Sequence, residues 1–179
     1  MSLFQNILII AILIAGAGFL SLTEIALAGA RKVKLKILAE SGDERAQKVL
    51  DLQAQSADFF AASQIGLNAV AILGGILGEG AFRPYFLEYV SRFYTGSWLE
   101  TISFALSFTL VTSLFILFAD LMPKRRAMIA PEKIAVSVIE PIQIFIKVCK
   151  PLAWFINAIA NMLFRLFKVN TIRDDNITF

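Results

Sequence analysis

Leu114-Phe115-Ile116-Leu117-Phe118-Ala119-Asp120-Leu121-Met122-Pro123-Lys124-Arg125-Arg126 carries a long apolar run into a single acid and then stops on proline and three basic residues. The residues before Asp120 suit hydrocarbon, and those after Pro123 suit a water-facing surface. An acid at such a depth is costly unless it is paired or lines a polar cavity, so Asp120 is a functional suspect. The competing reading pairs Asp120 with Lys124, one helical turn on, at the headgroup boundary. On either reading the stretch is the end of a membrane-spanning helix.

The composition agrees. Of 179 residues, 58% are hydrophobic and 17% charged, and the mean hydropathy is +0.71. Soluble domains carry roughly 25% charged residues. With no histidine and one cysteine, Cys149, a Ser-His-Asp triad, a His/Cys metal site and an intrachain disulfide framework are excluded. Cys149 is most simply a small apolar filler. No nucleophile–base pair or complete cofactor motif is visible, so an enzyme is not expected. The net charge of +3 is modest, and the basic residues cluster beside apolar runs. That suits cytoplasmic loops of a membrane protein and not a nucleic-acid-binding face.

Working outward, Met1–Thr23 contains no charged residue, enough to cross ~30 Å of hydrocarbon at ~1.5 Å per residue. It lacks the positively charged start of a cleaved signal peptide. Its later half is rich in small residues (Ala15, Gly16, Ala17, Gly18) that permit close helix contact, and it turns polar at Ser21, Thr23 and Glu24. Arg31–Asp58 carries six basic residues against two in Glu79–Glu100. The positive-inside rule therefore puts the first segment in the cytoplasm and the N-terminus outside. Ser41-Gly42-Asp43-Glu44 reads as a helix end followed by a new N-cap, which predicts a cytoplasmic helical hairpin. Phe59–Gly78 is a second uncharged run, interrupted by Ser63, Gln64 and Asn68. Its Gly74-Gly75…Gly78 lacks the lysine and spacing of a phosphate loop and is read as a helix-packing or span-ending device. Glu79–Glu100, with Pro84 and several aromatics, reads as an outside loop, and Thr101–Ala119 as a third span ended by Pro123.

Beyond Pro131, Pro141 and Pro151 break an apolar segment that is too short between charges to span, so helices lying in the interface or wrapped around the bundle are expected. A short fourth span from Pro151 is the alternative. The expected fold class is an all-α integral membrane domain over residues 1–168. Its spans lie at about 3–28, 59–79 and 101–121, with juxtamembrane belt helices at about 132–168. Residues 169–179 read as the start of a linker.

Three sets of oxygen-bearing side chains interrupt the spans: Ser21 and Thr23; Ser63, Gln64 and Asn68; and Asp120. Gln64 and Asn68 are four apart and share a helix face. Under the inferred topology every set lies in the cytoplasm-proximal half of its span, so all can meet at one depth. A carboxylate among hydroxyl and amide oxygens suits a hard cation, and Mg²⁺ in particular keeps waters and takes few protein ligands. The same set can hold an ammonium group. The plainer reading is interhelical hydrogen bonding that holds the bundle together.

Several ordered motifs also resemble a known family: Ser21-Leu22-Thr23-Glu24-Ile25-Ala26-Leu27, Arg31-Lys32-Val33-Lys34-Leu35, Gln64-Ile65-Gly66-Leu67-Asn68, Asp120-Leu121-Met122-Pro123-Lys124-Arg125, Ala130-Pro131-Glu132-Lys133 and Pro151-Leu152-Ala153-Trp154. Together they resemble the transmembrane domain of the cyclin M/CorC (CNNM) cation transporters. The resemblance implies a homodimer in the lipid bilayer with three transmembrane helices per protomer. It also implies cytosolic regulatory domains beyond Phe179, a paired CBS module able to bind ATP among them. In Mg²⁺-transporting relatives, serine, asparagine and an acid hold the ion. Carried over, these fall on Ser21, Ser63, Asn68 and Asp120, with Thr23 and Gln64 adjacent. The relatives usually carry glutamate where this chain has Asp120. Phe118-Ala119-Asp120-Leu121 and Asn68-Ala69-Val70-Ala71 instead resemble a bacterial branch associated with polyamine export. The expectation is a bacterial inner-membrane exporter of small cations such as putrescine and cadaverine. The alternatives are Mg²⁺ transport and a non-transporting anchor for regulatory domains.

Overall fold

The structure, a computed structural model, describes residues 3–166. Helix α1 (Leu3–Gly29) leads into a short hairpin, α2 (Lys32–Glu40) and α3 (Glu44–Ala54). Helix α4 (Ser56–Ser91) follows, then α5 (Leu99–Leu114), a π-helical segment (Phe115–Leu121), α6 (Met122–Ile129) and α7 (Pro131–Leu166). No strand occurs among the described residues. Three stretches, Phe4–Gly29, Phe59–Ser91 and Leu99–Ile129, are long and apolar enough to cross a membrane. This is an all-α membrane domain.

Local chemistry explains the hairpin. Gly42 adopts a left-handed φ of +99°, where a Cβ would be strained. Around it the Asp43 N–H donates to Leu38 O and the Gly42 N–H to Ala39 O, the paired bonds that close a helix end. Asp43 then caps α3, its carboxylate accepting from the Arg45 N–H at 3.0 Å. The Arg45 guanidinium, which donates from Nε to the same carboxylate, and secondarily that backbone bond hold the Asp43 carboxyl below its usual value. Gln53 ties the hairpin back to α1 by donating from Nε2 to both Leu27 O and Ala30 O at 2.9 Å. Leu27 O belongs to the last turn of α1, whose own ladder leaves it without a partner, and Ala30 follows directly on that turn.

Helix α1 is the hub. It packs against α4, α6, α7 and the π-helical segment, while α4 also packs on α5 and α7. The buried core, including Leu27, Leu35, Val49, Phe59, Ala127 and Ile139, gathers where the hairpin, the start of α4, α6 and α7 surround the C-terminal half of α1. Water drives that burial. Elsewhere α4 and α5 leave Ile72, Ile76, Phe104 and Phe108 exposed, as suits contact with lipid tails. Without a hydrophobic drive, helices in lipid associate through close packing of small residues. Gly74 makes room for the Phe115 ring and Gly78 for Val111, each at a distance that admits no Cβ. The glycines are packing devices, and the helix does not end at them.

In three places the helices run on where breaks are expected. The Glu79–Glu100 segment, read above as a loop, is helical as far as Ser91, so the connection to α5 is short. Pro84 sits within that helix, a position tolerated when neighbouring groups re-satisfy the backbone it frees. Pro123 does not end the third span: residues 99–129 form one rod through the π-helical segment, with Pro123 at the start of α6. Proline lacks an N–H and its ring clashes with the carbonyl four residues back in an α-helix; the wider π winding just before it relieves that clash. Finally, Pro131–Leu166 is one helix containing Pro141 and Pro151, not several. It wraps α1, α3, α4 and α6. The expected linker, 169–179, and the last residues of the expected belt lie outside the described residues.

Candidate cation site

Asp120 lies at the end of the π-helical segment, where the Met122 N–H donates to Leu117 O, five residues back. Such segments are uncommon and recur at functional sites. Beside it opens a cavity of about 350 Å³ walled by all three membrane-length helices. Helix α1 contributes Ala17 and Glu24, and α4 contributes Gln64, Leu67, Asn68 and Ala71. The rod contributes Phe115, Ile116, Ala119, Asp120 and Lys124. Two larger hollows, about 630 Å³ between α2 and α7 and about 650 Å³ between α1 and α6, do not unite the three helices.

The expected residues fall into three groups. Gln64, Asn68 and Asp120 line the cavity, and Ser21 joins them by donating from Oγ to Asp120 Oδ1 at 3.2 Å. Ser21 is fully buried, so this bond ties α1 to the acid from the protein side. Thr23 is turned away: its hydroxyl donates to Phe19 O at 2.7 Å, a back-bond within its own helix that competes with any ligand role. Ser63 is fully buried, and its hydroxyl has no hydrogen-bond partner among the described residues. An unsatisfied buried hydroxyl costs about 1–3 kcal/mol. It is an unused oxygen on the residue next to Gln64.

Asp120 also pairs with Lys124. The two readings of this acid, ion pair and site, therefore hold at once. The carboxylate is not sealed off, with 53% of its side-chain surface exposed. Sequence reasoning missed two wall residues. Glu24 is the sole charged residue of α1, three positions after Ser21 and so on the same helix face; that isolation was the available signal. It has no hydrogen bond or ion pair among the described residues. From its spacing Lys124 is expected only to neutralise Asp120, whereas it also forms part of the wall. The cavity thus offers two carboxylates, two amides, a hydroxyl behind one acid, and one ammonium.

Such a set selects for positive charge. Carboxylates and amide carbonyls accept hydrogen bonds from an ammonium and coordinate a hard cation alike. Among the described residues no group of three or more His, Cys, Asp or Glu side chains is placed to hold a metal. A divalent ion here would rely on neutral oxygens and its own waters, as Mg²⁺ commonly does.

Comparison with known proteins adds to this picture. A "Polyamine export protein" of Escherichia coli (strain K12) is 52% identical over 176 residues, covering 98% of this chain and 39% of that protein. One of the same name from Haemophilus influenzae is 47% identical over 178 residues, covering 99% of this chain and 41% of the relative. A UPF0053 protein of Bacillus subtilis, YhdP, is 25% identical over 173 residues, covering 96% of this chain and 39% of that protein. The chain thus spans about two fifths of the length of these relatives. The family model described as "Cyclin M transmembrane N-terminal domain" matches residues 8–178. This chain belongs to the cyclin M (CNNM) transmembrane-domain family.

Proposed function

We propose that this chain is the membrane domain of a bacterial inner-membrane exporter of small organic cations, with polyamines as its substrates. The observation that carries the reading is the junction of three membrane-length helices around one cavity that holds Asp120, Glu24, Gln64 and Asn68. The polyamine export proteins that share about half of its residues support the substrate class. A protonated diamine needs carboxylates for its charges and carbonyl or hydroxyl oxygens for its N–H groups, and the cavity supplies both. Asp120 would carry one ammonium, with Asn68 and Gln64 directing it. Ser21 would hold the carboxylate in place, and Ser63 and Thr23 would stand behind the wall.

Mg²⁺ as the transported ion is the second reading, supported by the neutral oxygens of Ser21 and Asn68 at the site of Asp120, with the buried, unbonded Ser63 hydroxyl as a further would-be ligand. The shorter reach of aspartate compared with glutamate argues for the larger, softer-fitting ammonium. The protein would work as a homodimer with its N-terminus outside, and any control by ATP would reside in cytosolic domains.

The test is transport by inverted membrane vesicles. Asp120→Asn is expected to lower uptake of labelled putrescine by at least about tenfold, the size of a lost charge-assisted contact of ~1.4 kcal/mol or more, with folding and dimerisation intact. Normal transport by this variant would instead favour a membrane anchor that moves nothing. Loss of Mg²⁺ flux with putrescine flux untouched would move the assignment to the metal.

A further inference from the structure

Lys124 is an oddity in a site for cations. Its ammonium sits on Asp120, the acid assigned to the substrate, and its side chain forms part of the cavity wall. Chemically, its head is the primary ammonium of a short alkylamine, held on a four-carbon stem. The second acid of the wall, Glu24, has no such partner among the described residues. The cavity therefore holds one acid already matched by a built-in amine and one acid unmatched.

We propose that Lys124 is a resident surrogate ligand, an ammonium that occupies Asp120 until an entering cation displaces it. The proposal rests on reading this cavity as the cation site. The lysine stem is anchored one turn from Asp120, so its head competes at the high effective concentration of any tethered group. A singly charged amine offers Asp120 nothing that Lys124 does not already supply. A dication offers a second charge, which Glu24 can take. Every entering cation meets the same competition from Lys124, and a dication offsets it through a second contact, with Glu24, that a monoamine lacks. The empty cavity would also keep its acid neutralised between turnovers, which lowers the cost of a lone carboxylate at the edge of hydrocarbon.

The experiment is calorimetric titration of the purified chain in lipid nanodiscs with 1,4-diaminobutane, 1-aminobutane and MgCl₂ as separate probes. Partly exposed ion pairs contribute about 0.2–1 kcal/mol. Lys124→Gln is therefore expected to tighten binding about 1.4- to fivefold for the diamine, and for 1-aminobutane by a similar factor. Lys124→Arg, which keeps a cation on Asp120, should recover most of the wild-type affinity. Adding Asp120→Asn to Lys124→Gln should abolish the gain. Weaker or unchanged binding by Lys124→Gln, with Asp120→Asn alone still losing it, would overturn the surrogate role and leave the cavity reading standing. Unchanged binding by Asp120→Asn would overturn both. A second readout uses the wild-type chain and so survives a variant that fails to fold. Acylation of Lys124 by a water-soluble ester, followed by mass spectrometry, should speed up when the chain is saturated with Mg²⁺ or with N,N,N′,N′-tetramethyl-1,4-diaminobutane. No change in its reactivity with either probe would sink the proposal.

Discussion

Asp120, Ser21 and Ser63 have different environments that give each a different response to mutation. Ser21 spends its hydroxyl on Asp120, whereas the buried Ser63 hydroxyl is unspent. Removing a polar group that bonds nothing relieves a desolvation penalty instead of losing a contact. Ser63→Ala is therefore expected to leave the ligand-free chain as stable as wild type or more stable, by up to ~1 kcal/mol, while weakening cation binding. Thermal unfolding in detergent, compared with a binding titration on the same sample, separates the two effects. A large loss of stability would show that Ser63 is an ordinary packing contact. Thr23 is the control in the other direction, because its hydroxyl already serves the backbone of its own helix.

At the level of elements, two joints tie the helices together. The first is between α4 and α5, where Gly78 accommodates Val111 and the Ser107 hydroxyl donates to Glu79 O at 3.0 Å. A branched side chain at Gly78 would push the rod, and Asp120 with it, away from Asn68. Gly78→Val is expected to cost about 1–3 kcal/mol by overpacking and to lower transport more than expression. Melting curves and vesicle transport measured together check this. The second joint ties the hairpin to α7. Arg31 Nε and Lys34 Nζ lie 3.2 and 3.4 Å from Glu132 Oε1. Bonding from the backbone N–H at the start of α7, and then Arg31 and Lys34, hold the Glu132 carboxyl below its ordinary 4.5 against the opposing effect of burial. A carboxyl whose value falls on folding stabilises the fold fully above its unfolded value, and that stabilisation is lost as pH drops through the folded one. Glu132→Gln should therefore lower the unfolding midpoint at neutral pH, with the gap to wild type closing below about pH 4.5. A gap independent of pH would show that the side chain acts by shape and not by charge.

At the scale of the whole molecule, the basic hairpin and Lys124–Arg126 lie at one end of the three spans and the α4–α5 connection at the other. The proposed orientation, with the basic end in the cytoplasm, would put Ser97 in that connection outside and Lys36 in α2 inside. In a Cys149→Ala background, Ser97→Cys should react with an impermeant maleimide on intact cells. Lys36→Cys should react only after the membrane is opened. The reverse pattern would invert the proposed export direction of the site.

The existence of three spans, the hairpin with its Gly42 turn and the lone acid of the third span were legible in the sequence because each follows from local chemistry. Run length, charge asymmetry and capping residues act over a few positions and need no partner helix. The tertiary structure alone decided three things. It carried α4 through Pro84 and α7 through Pro141 and Pro151, because packing against neighbouring helices outweighs a proline's local penalty. It turned Thr23 into its own helix while leaving Ser21 for Asp120; residues two apart on a helix point in different directions, and only the position of the rod says which one meets the acid. It also set Glu24 in the same cavity wall as Asp120. No spacing rule links residues a hundred positions apart. Asp120 was a suspect as a lone charge beside hydrocarbon, and the helices packed around it determine what it faces.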